Sequence, residues 1–152
     1  MVEVRVAAAT SLPPDAVVAA ATDFSERRPE IWADLDPDVF LVESLGDGEA
    51  VVVEGSKTFG GIEARESYDW SSPGVVRSRV IDSNVFAPGS WWELRVSPAD
   101  GGGSRVEWTS HRIPRGAKGH ILTATLRLMG ARYLSRYLRT TLADLESASG
   151  HR

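Results

Sequence analysis

With 152 residues, 42% of them hydrophobic and 25% charged, the chain has the size and balance of one globular domain able to bury a core. A net charge of −4 gives no electrostatic basis for a nucleic-acid partner, and the lack of cysteine excludes disulfides, thiolate nucleophiles and thiolate metal sites. The opening MVEVRVAAATSLPPDAV lacks the basic-then-apolar plan of a signal peptide, and no run reaches the roughly 20 apolar residues of an integral membrane segment, so a cytoplasmic protein is expected.

Residues 2–10 alternate with Val2, Val4, Val6 and Ala8 on one side, which predicts a strand. Prolines 13 and 14 then allow a helix to begin, and Val17, Ala20, Ala21 and Phe24 carry it at helical spacing. A second short helix is expected over 25–33, where Pro29 is tolerable only near the first turn. Six strands follow, at 39–45, 49–58, 62–70, 74–82, 89–97 and 104–113. Turn chemistry at Gly46-Asp47-Gly48, Gly60-Gly61, Pro73-Gly74, Pro88-Gly89 and Gly101–Gly103 makes them an antiparallel meander.

From about Ala117 to Glu146 the period is helical. A stripe of Leu122, Leu126, Met129, Tyr133 and Tyr137 drifts towards Leu134, Leu138, Leu142 and Leu145. Thirty helical residues span about 45 Å, too long for a small sheet unless the sheet curves around them. The order is one strand, two short helices, six strands and one long helix, a single α+β domain over residues 1–152 without internal repeat or linker.

Strand parity assigns the faces. Arg77 and Arg79 mark a wet face and leave Val76, Ser78 and Val80 inside. Arg105, Glu107 and Thr109 do the same for Val106, Trp108, Ser110 and Arg112. In GSWWELRV the two tryptophans must part: Trp92, Leu94 and Val96 turn in, Trp91 out. Strand 62–70 turns Ile62, Ala64, Glu66, Tyr68 and Trp70 inward, which sets a carboxylate in an apolar row. Such a group must be paired or take up a proton, and Arg112 is its candidate partner. One reading puts Glu66 or Arg112 at a sheet end in water; the other makes a half-polar cavity of Glu66, Tyr68, Ser78, Ser110 and Arg112 among tryptophans.

Other motifs fail. Asp34–Asp38 begins like a calcium loop, but Val39 and Leu45 stand where glycine and glutamate belong. Gly55-Ser56-Lys57-Thr58 lacks the phosphate-loop spacing. His111 faces outward, His151 lies in the tail and His120 opens the long helix towards a cavity mouth; their spacing matches no metal site. Arg132, Arg136 and Arg139 lie off the apolar stripe, which fits a solvated face first and an acidic membrane or partner surface second.

The element order, with RRPEIWADLDPDVF, EGSKTFGG, ARESYDWSSPGVVRSRV, DSNVFAPGSWWE and GGSRVEWTSHRIPRGAKG, resembles the helix-grip superfamily of START-type (SRPBCC) proteins, in particular a bacterial polyketide cyclase/dehydrase branch. That resemblance implies a curved sheet of about seven strands gripping the C-terminal helix, with a deep cavity between them lined by Trp92. It also implies a close approach of helix and sheet at Gly130.

Two functions fit. The first is a carrier or sensor of a hydrophobic, aromatic or lipid-like small molecule. Its candidate contacts are Trp32, Glu66, Tyr68, Ser78, Trp92, Trp108, Ser110, Arg112, Leu126, Met129 and Tyr133. The second is a cofactor-independent cyclase/dehydratase with Glu66 as base and Tyr68 or Arg112 as donor to an enolate oxygen. Binding ranks first, because no histidine faces inward on the strands. A third reading, a filled interior, would leave only the surface to act. Nothing in the pattern specifies an oligomeric state.

Overall fold

The computed structural model describes residues 1–150. Its elements are β1 (Val2–Thr10), α1 (Pro14–Ala21), α2 (Arg28–Ile31), β2 (Leu41–Gly46), β3 (Glu49–Ser56), β4 (Ile62–Asp69), β5 (Val75–Ser83), β6 (Trp91–Pro98), β7 (Ser104–Arg112) and α3 (Gly116–Gly150), with a 3₁₀ turn at Thr58–Gly60. The expected order holds, and the boundaries move where local chemistry intervenes. The second helix shrinks to four residues with Pro29 in its first turn. The third strand stops at Ser56, where Ser56 Oγ accepts the Thr58 backbone N–H at 3.1 Å and turns the chain.

Seven strands form one sheet in the order β1-β7-β6-β5-β4-β3-β2, every described pairing antiparallel. The meander is thus completed by the first strand pairing with the last, Val2 opposite Arg112 and Thr10 opposite Ser104. This non-local closure leaves β2 as the far edge, where Leu41 and Leu45 are exposed. The register shifts between Arg65 and Glu66 on β4 and between Val42 and Ser44 on β2. Such irregularities bend a sheet and increase its twist.

Along α3, Leu134, Leu138 and Leu142 pack with Val2, Val4 and Val6 of β1 and with Val17 and Ala21 of α1 in the larger apolar cluster. Nearer its start, Leu122 joins Val80, Val85 and Phe86 in a smaller one. Two close approaches seat the helix. A Cβ at Gly130 would lie 3.1 Å from Val4 Cγ2, and one at Gly119 would lie 2.3 Å from the Val85 carbonyl oxygen. The contact at Gly130 is the expected one; the tighter contact at Gly119 pins the helix start to the loop after β5.

Candidate functional site

One cross-strand row builds the floor of the site. Pairing sets Val4 opposite Ser110, Ser110 opposite Trp92, Trp92 opposite Ser78, Ser78 opposite Tyr68 and Tyr68 opposite Ala50. Each large ring therefore stands between small residues, and a row of alternating sizes cannot form a level packed surface. The rings meet edge-on, Tyr68 to Trp92 at 5.4 Å and Trp92 to Trp108 at 6.1 Å between centroids. The chain continues from Trp108 to Tyr137 at 6.0 Å and to a stacked Tyr133 at 6.3 Å.

Beside these rings lie two neighbouring cavities. The inner one, about 180 Å³, is bounded by Trp32, Glu54, Glu66, Tyr68, Trp92 and Leu94 among others. The outer one, about 430 Å³, lies under α3 and is bounded by Ser110, Leu122, Leu126, Met129, Tyr133 and Leu134. Asp34, Ser56, Ile62, Phe86, Trp108, Arg112 and Tyr137 border both. At the opening of the outer cavity Met129 and Tyr133 remain 61% and 47% exposed.

The inner end is polar and its charged side chains are buried. Arg28 Nε donates to Glu54 Oε1, its Nη1 to the Ala21 carbonyl at 3.0 Å and its Nη2 to Tyr68 Oη at 3.2 Å. The Tyr68 hydroxyl donates to Glu54 Oε2 at 2.6 Å, with Glu66 Oε2 3.4 Å from the same oxygen. A hydroxyl has one proton, so the short contact takes it; a protonated Glu66 is the form able to donate back to Tyr68. Burial, and next the Glu54 carboxylate, push the Glu66 pKa up to about 8 against the opposing pull of Arg112 and Arg28. Burial also lifts the Tyr68 hydroxyl well above its usual range, with the same two carboxylates adding to it. Burial works against the Arg28 cation, but Tyr68 and Glu54 outweigh it and its pKa rises.

Arg112 is placed differently. Its Nε donates to Ser110 Oγ at 3.1 Å and its guanidinium lies 4.6 Å from the centre of the Phe86 ring. Burial lowers its pKa, with Glu66 pulling the other way, yet among the described residues no carboxylate lies within 4 Å of it. The expected Glu66–Arg112 pair is therefore replaced by an Arg28–Glu54 pair. Arg112 remains a half-buried cation on the wall of both cavities.

Of the residues expected at the site, Glu66, Tyr68, Trp92 and Trp32 border the inner cavity, Ser110, Leu126, Met129 and Tyr133 the outer, and Trp108 and Arg112 both. Ser78 borders neither: it is wholly buried between Tyr68 and Trp92, and its hydroxyl finds no partner among the described residues. His120 is exposed and lines neither cavity, a correction to its expected place at the mouth. The Trp32 indole N–H is already engaged, donating to the Ala20 carbonyl at 3.3 Å, whereas the buried Trp108 indole N–H has no acceptor among the described residues. No group of three or more histidine, aspartate or glutamate side chains among the described residues is arranged to hold a metal ion.

Arg28 and Glu54 were missed. The alternation Ala50, Val52, Glu54 carried the signal for the glutamate, because parity sets it on the inward face with Val52. Arg28 sits in a four-residue helix too short to show a period, so nothing marked it as inward.

Residues 1–150 match the family described as polyketide cyclase / dehydrase and lipid transport. No curated protein sequence matches the chain. Among solved structures, the ZhuI aromatase/cyclase from Streptomyces sp. R1128 superposes with a TM-score of 0.78 at 16% identity, covering 95% of this chain and 93% of that one. TTHA0849 from Thermus thermophilus gives 0.77 at 17% identity, with 97% and 99% covered. A START superfamily protein from Mycobacterium smegmatis gives 0.74 at 9% identity, with 94% and 98% covered. At these identities the likeness is one of fold.

Proposed function

The chain belongs to the polyketide cyclase / dehydrase and lipid transport family, and from that membership we propose that it binds a hydrophobic, aromatic small molecule between the sheet and α3. The observation that carries this reading is the pair of adjoining cavities, together of ligand size, with mainly aromatic and aliphatic walls, two glutamates in the inner one and a few polar side chains, among them Asp34 and Arg112, shared by both. Trp92, Trp108 and Tyr137 offer faces and edges for stacking. The Arg112 guanidinium, whose Nε–H is taken by Ser110 Oγ, has its two terminal nitrogens left to donate to a ligand oxygen. The molecule acts as a cytoplasmic carrier or sensor.

The test is a titration with the fluorescent aromatic anion 8-anilinonaphthalene-1-sulfonate. Saturable binding that is lost when Ser110→Trp or Leu126→Trp fills the outer cavity supports the reading; binding unchanged by both substitutions rejects it.

A second reading, catalysis, is favoured by Glu66 and by the aromatase/cyclase that the fold resembles. A group whose pKa lies near the working pH can both take and return a proton. As carboxylate, Glu66 would remove a proton from carbon beside a ketone, while Arg112 holds the enolate oxygen. The enolate carbon would then bond to a second carbonyl carbon, and the new alkoxide would recover the proton from Glu66 before water is lost. Glu66→Gln separates the two readings, since it keeps the shape of the wall and removes the base. Under the binding reading it shifts affinity; under the catalytic reading it retains binding and abolishes turnover of a polyketide-like diketone.

A further inference from the structure

The outer face of α3 has an unusual composition. Residues 116–143 carry Lys118, Arg127, Arg132, Arg136 and Arg139 and no carboxylate, in a chain whose net charge is −4. The remainder of the chain therefore carries −9, whereas this stretch carries +5 before Asp144 and Glu146 in the last turns of the helix. Ile121, Thr125, Leu128, Arg132, Arg136 and Arg139 follow one another at three- or four-residue spacing and share one helix face. The buried residues Leu122, Thr123, Gly130, Leu134, Leu138 and Thr141 occupy the opposite one.

On that outer face Leu128 is 85% and Ile121 65% exposed, and Arg132, Arg136 and Arg139 are exposed beside them. Among the described residues none of these arginines lies within 4 Å of a carboxylate. Single exposed apolar residues are ordinary on a protein surface. Two large ones in a row that continues into unpaired arginines, on a helix whose carboxylates, Asp144 and Glu146, lie only in its last turns, match a different need. An amphipathic helix lying in the plane of an anionic bilayer presents apolar side chains to the acyl boundary and arginines to the headgroups.

From this juxtaposition we infer that the outer face of α3 docks on an anionic phospholipid surface. The placement has a consequence for the cavities. Met129 and Tyr133 border the outer cavity and are exposed on the flank of the same helix, so docking brings the cavity opening against the bilayer. A hydrophobic molecule could then pass between membrane and cavity without crossing water. No helix of the described residues is long and apolar enough to cross a membrane, so the association is peripheral.

The experiment is co-sedimentation of the full chain with phosphatidylcholine vesicles, with and without phosphatidylglycerol, at low and raised salt. Binding is expected only with phosphatidylglycerol, weakening as salt rises. The double substitution Arg132→Gln with Arg136→Gln should lower partitioning about 30-fold, and Leu128→Ser about tenfold. All three positions are exposed, and unchanged thermal unfolding confirms that the variants fold. Leu41→Ser and Leu45→Ser, on the exposed edge strand, should leave partitioning unaltered. Binding to neutral vesicles alone, no binding to either, or equal loss from the edge-strand variants overturns the inference. Loss in the arginine variant with none in Leu128→Ser also overturns it, and points to an acidic protein as the partner of this face. Because none of the substituted residues borders a cavity, anilinonaphthalene sulfonate binding reports separately on the ligand reading.

Discussion

Trp91 and Trp92 are consecutive, belong to one strand and are both half-buried, yet they occupy opposite kinds of surroundings. Trp92 is covered by the Tyr68 and Trp108 rings and borders the inner cavity. Trp91 is covered on the outer face by the Arg77 guanidinium, 4.5 Å from its ring centre, and by a stacked His111 at 5.5 Å. Glu93 extends that outer cluster, 3.6 Å from Arg77 and paired also with Arg95. Degree of burial therefore does not distinguish a cavity wall from a covered surface; the covering groups do. Outside, the cover is long charged side chains that water and salt can screen. Inside, it is rings, a void and buried charges.

The sharpest contrast lies between the arginines of the two faces. Arg28→Ala removes the cation bonded to Glu54 and leaves that carboxylate buried beside Glu66. It should cost about 3–5 kcal/mol in denaturant unfolding. Arg77→Ala, on the outer cluster, should cost less than about 1 kcal/mol. Similar losses from both would show that the inner network is solvated after all.

Next in size is the pH response of Glu66. Its pKa is raised on folding from 4.5 to about 8, so the folded chain holds a proton that the unfolded chain has released across that window. Wild-type stability should accordingly fall as pH rises from 4.5 towards 8. Glu66→Gln keeps a neutral group there, so by pH 9 it should exceed the wild type by roughly 2–4 kcal/mol. Parallel stability–pH curves for the two proteins would mean that Glu66 is ionised throughout.

The tryptophans themselves come last. Trp92→Ala should cost roughly 1–3 kcal/mol, less than a fully packed aromatic, because one side of the ring already faces a void. Trp91→Ala should cost about 0.5–1 kcal/mol, the worth of a half-exposed ring under a cation. Emission of the single variants refines the comparison. A ligand response that survives Trp91→Phe and diminishes in Trp92→Phe supports the assignment of faces, and the opposite pattern reverses it.

Much of this arrangement is readable from residue order. Period-two alternation placed Trp92, Leu94, Glu66, Tyr68 and Arg112 inward because side-chain direction in a strand is a local property. The long helix, the turn glycines and the element order are local in the same sense. Gly130 stood out because a glycine in mid-helix calls for a reason.

What only the tertiary structure decided is which inward groups meet. Parity sets Glu66, Glu54 and Arg112 on one face, but partner choice depends on which strands are adjacent and where the helices between β1 and β2 lie. Closure of β1 on β7 and the position of α2 deliver Arg28, from a segment without periodicity, to Glu54 and Tyr68. Among the described residues Arg112 is thereby left without a carboxylate within 4 Å. The cavity is non-local for the same reason: the small side chains of Ser110, Ser78 and Ala50 come from three strands. Only their alignment with Trp92 and Tyr68 across the sheet gives the floor its alternation of large and small residues. Sequence determined the direction of each side chain because that follows from local backbone geometry; folding determined the company each keeps, because contacts between distant segments depend on how the whole chain packs.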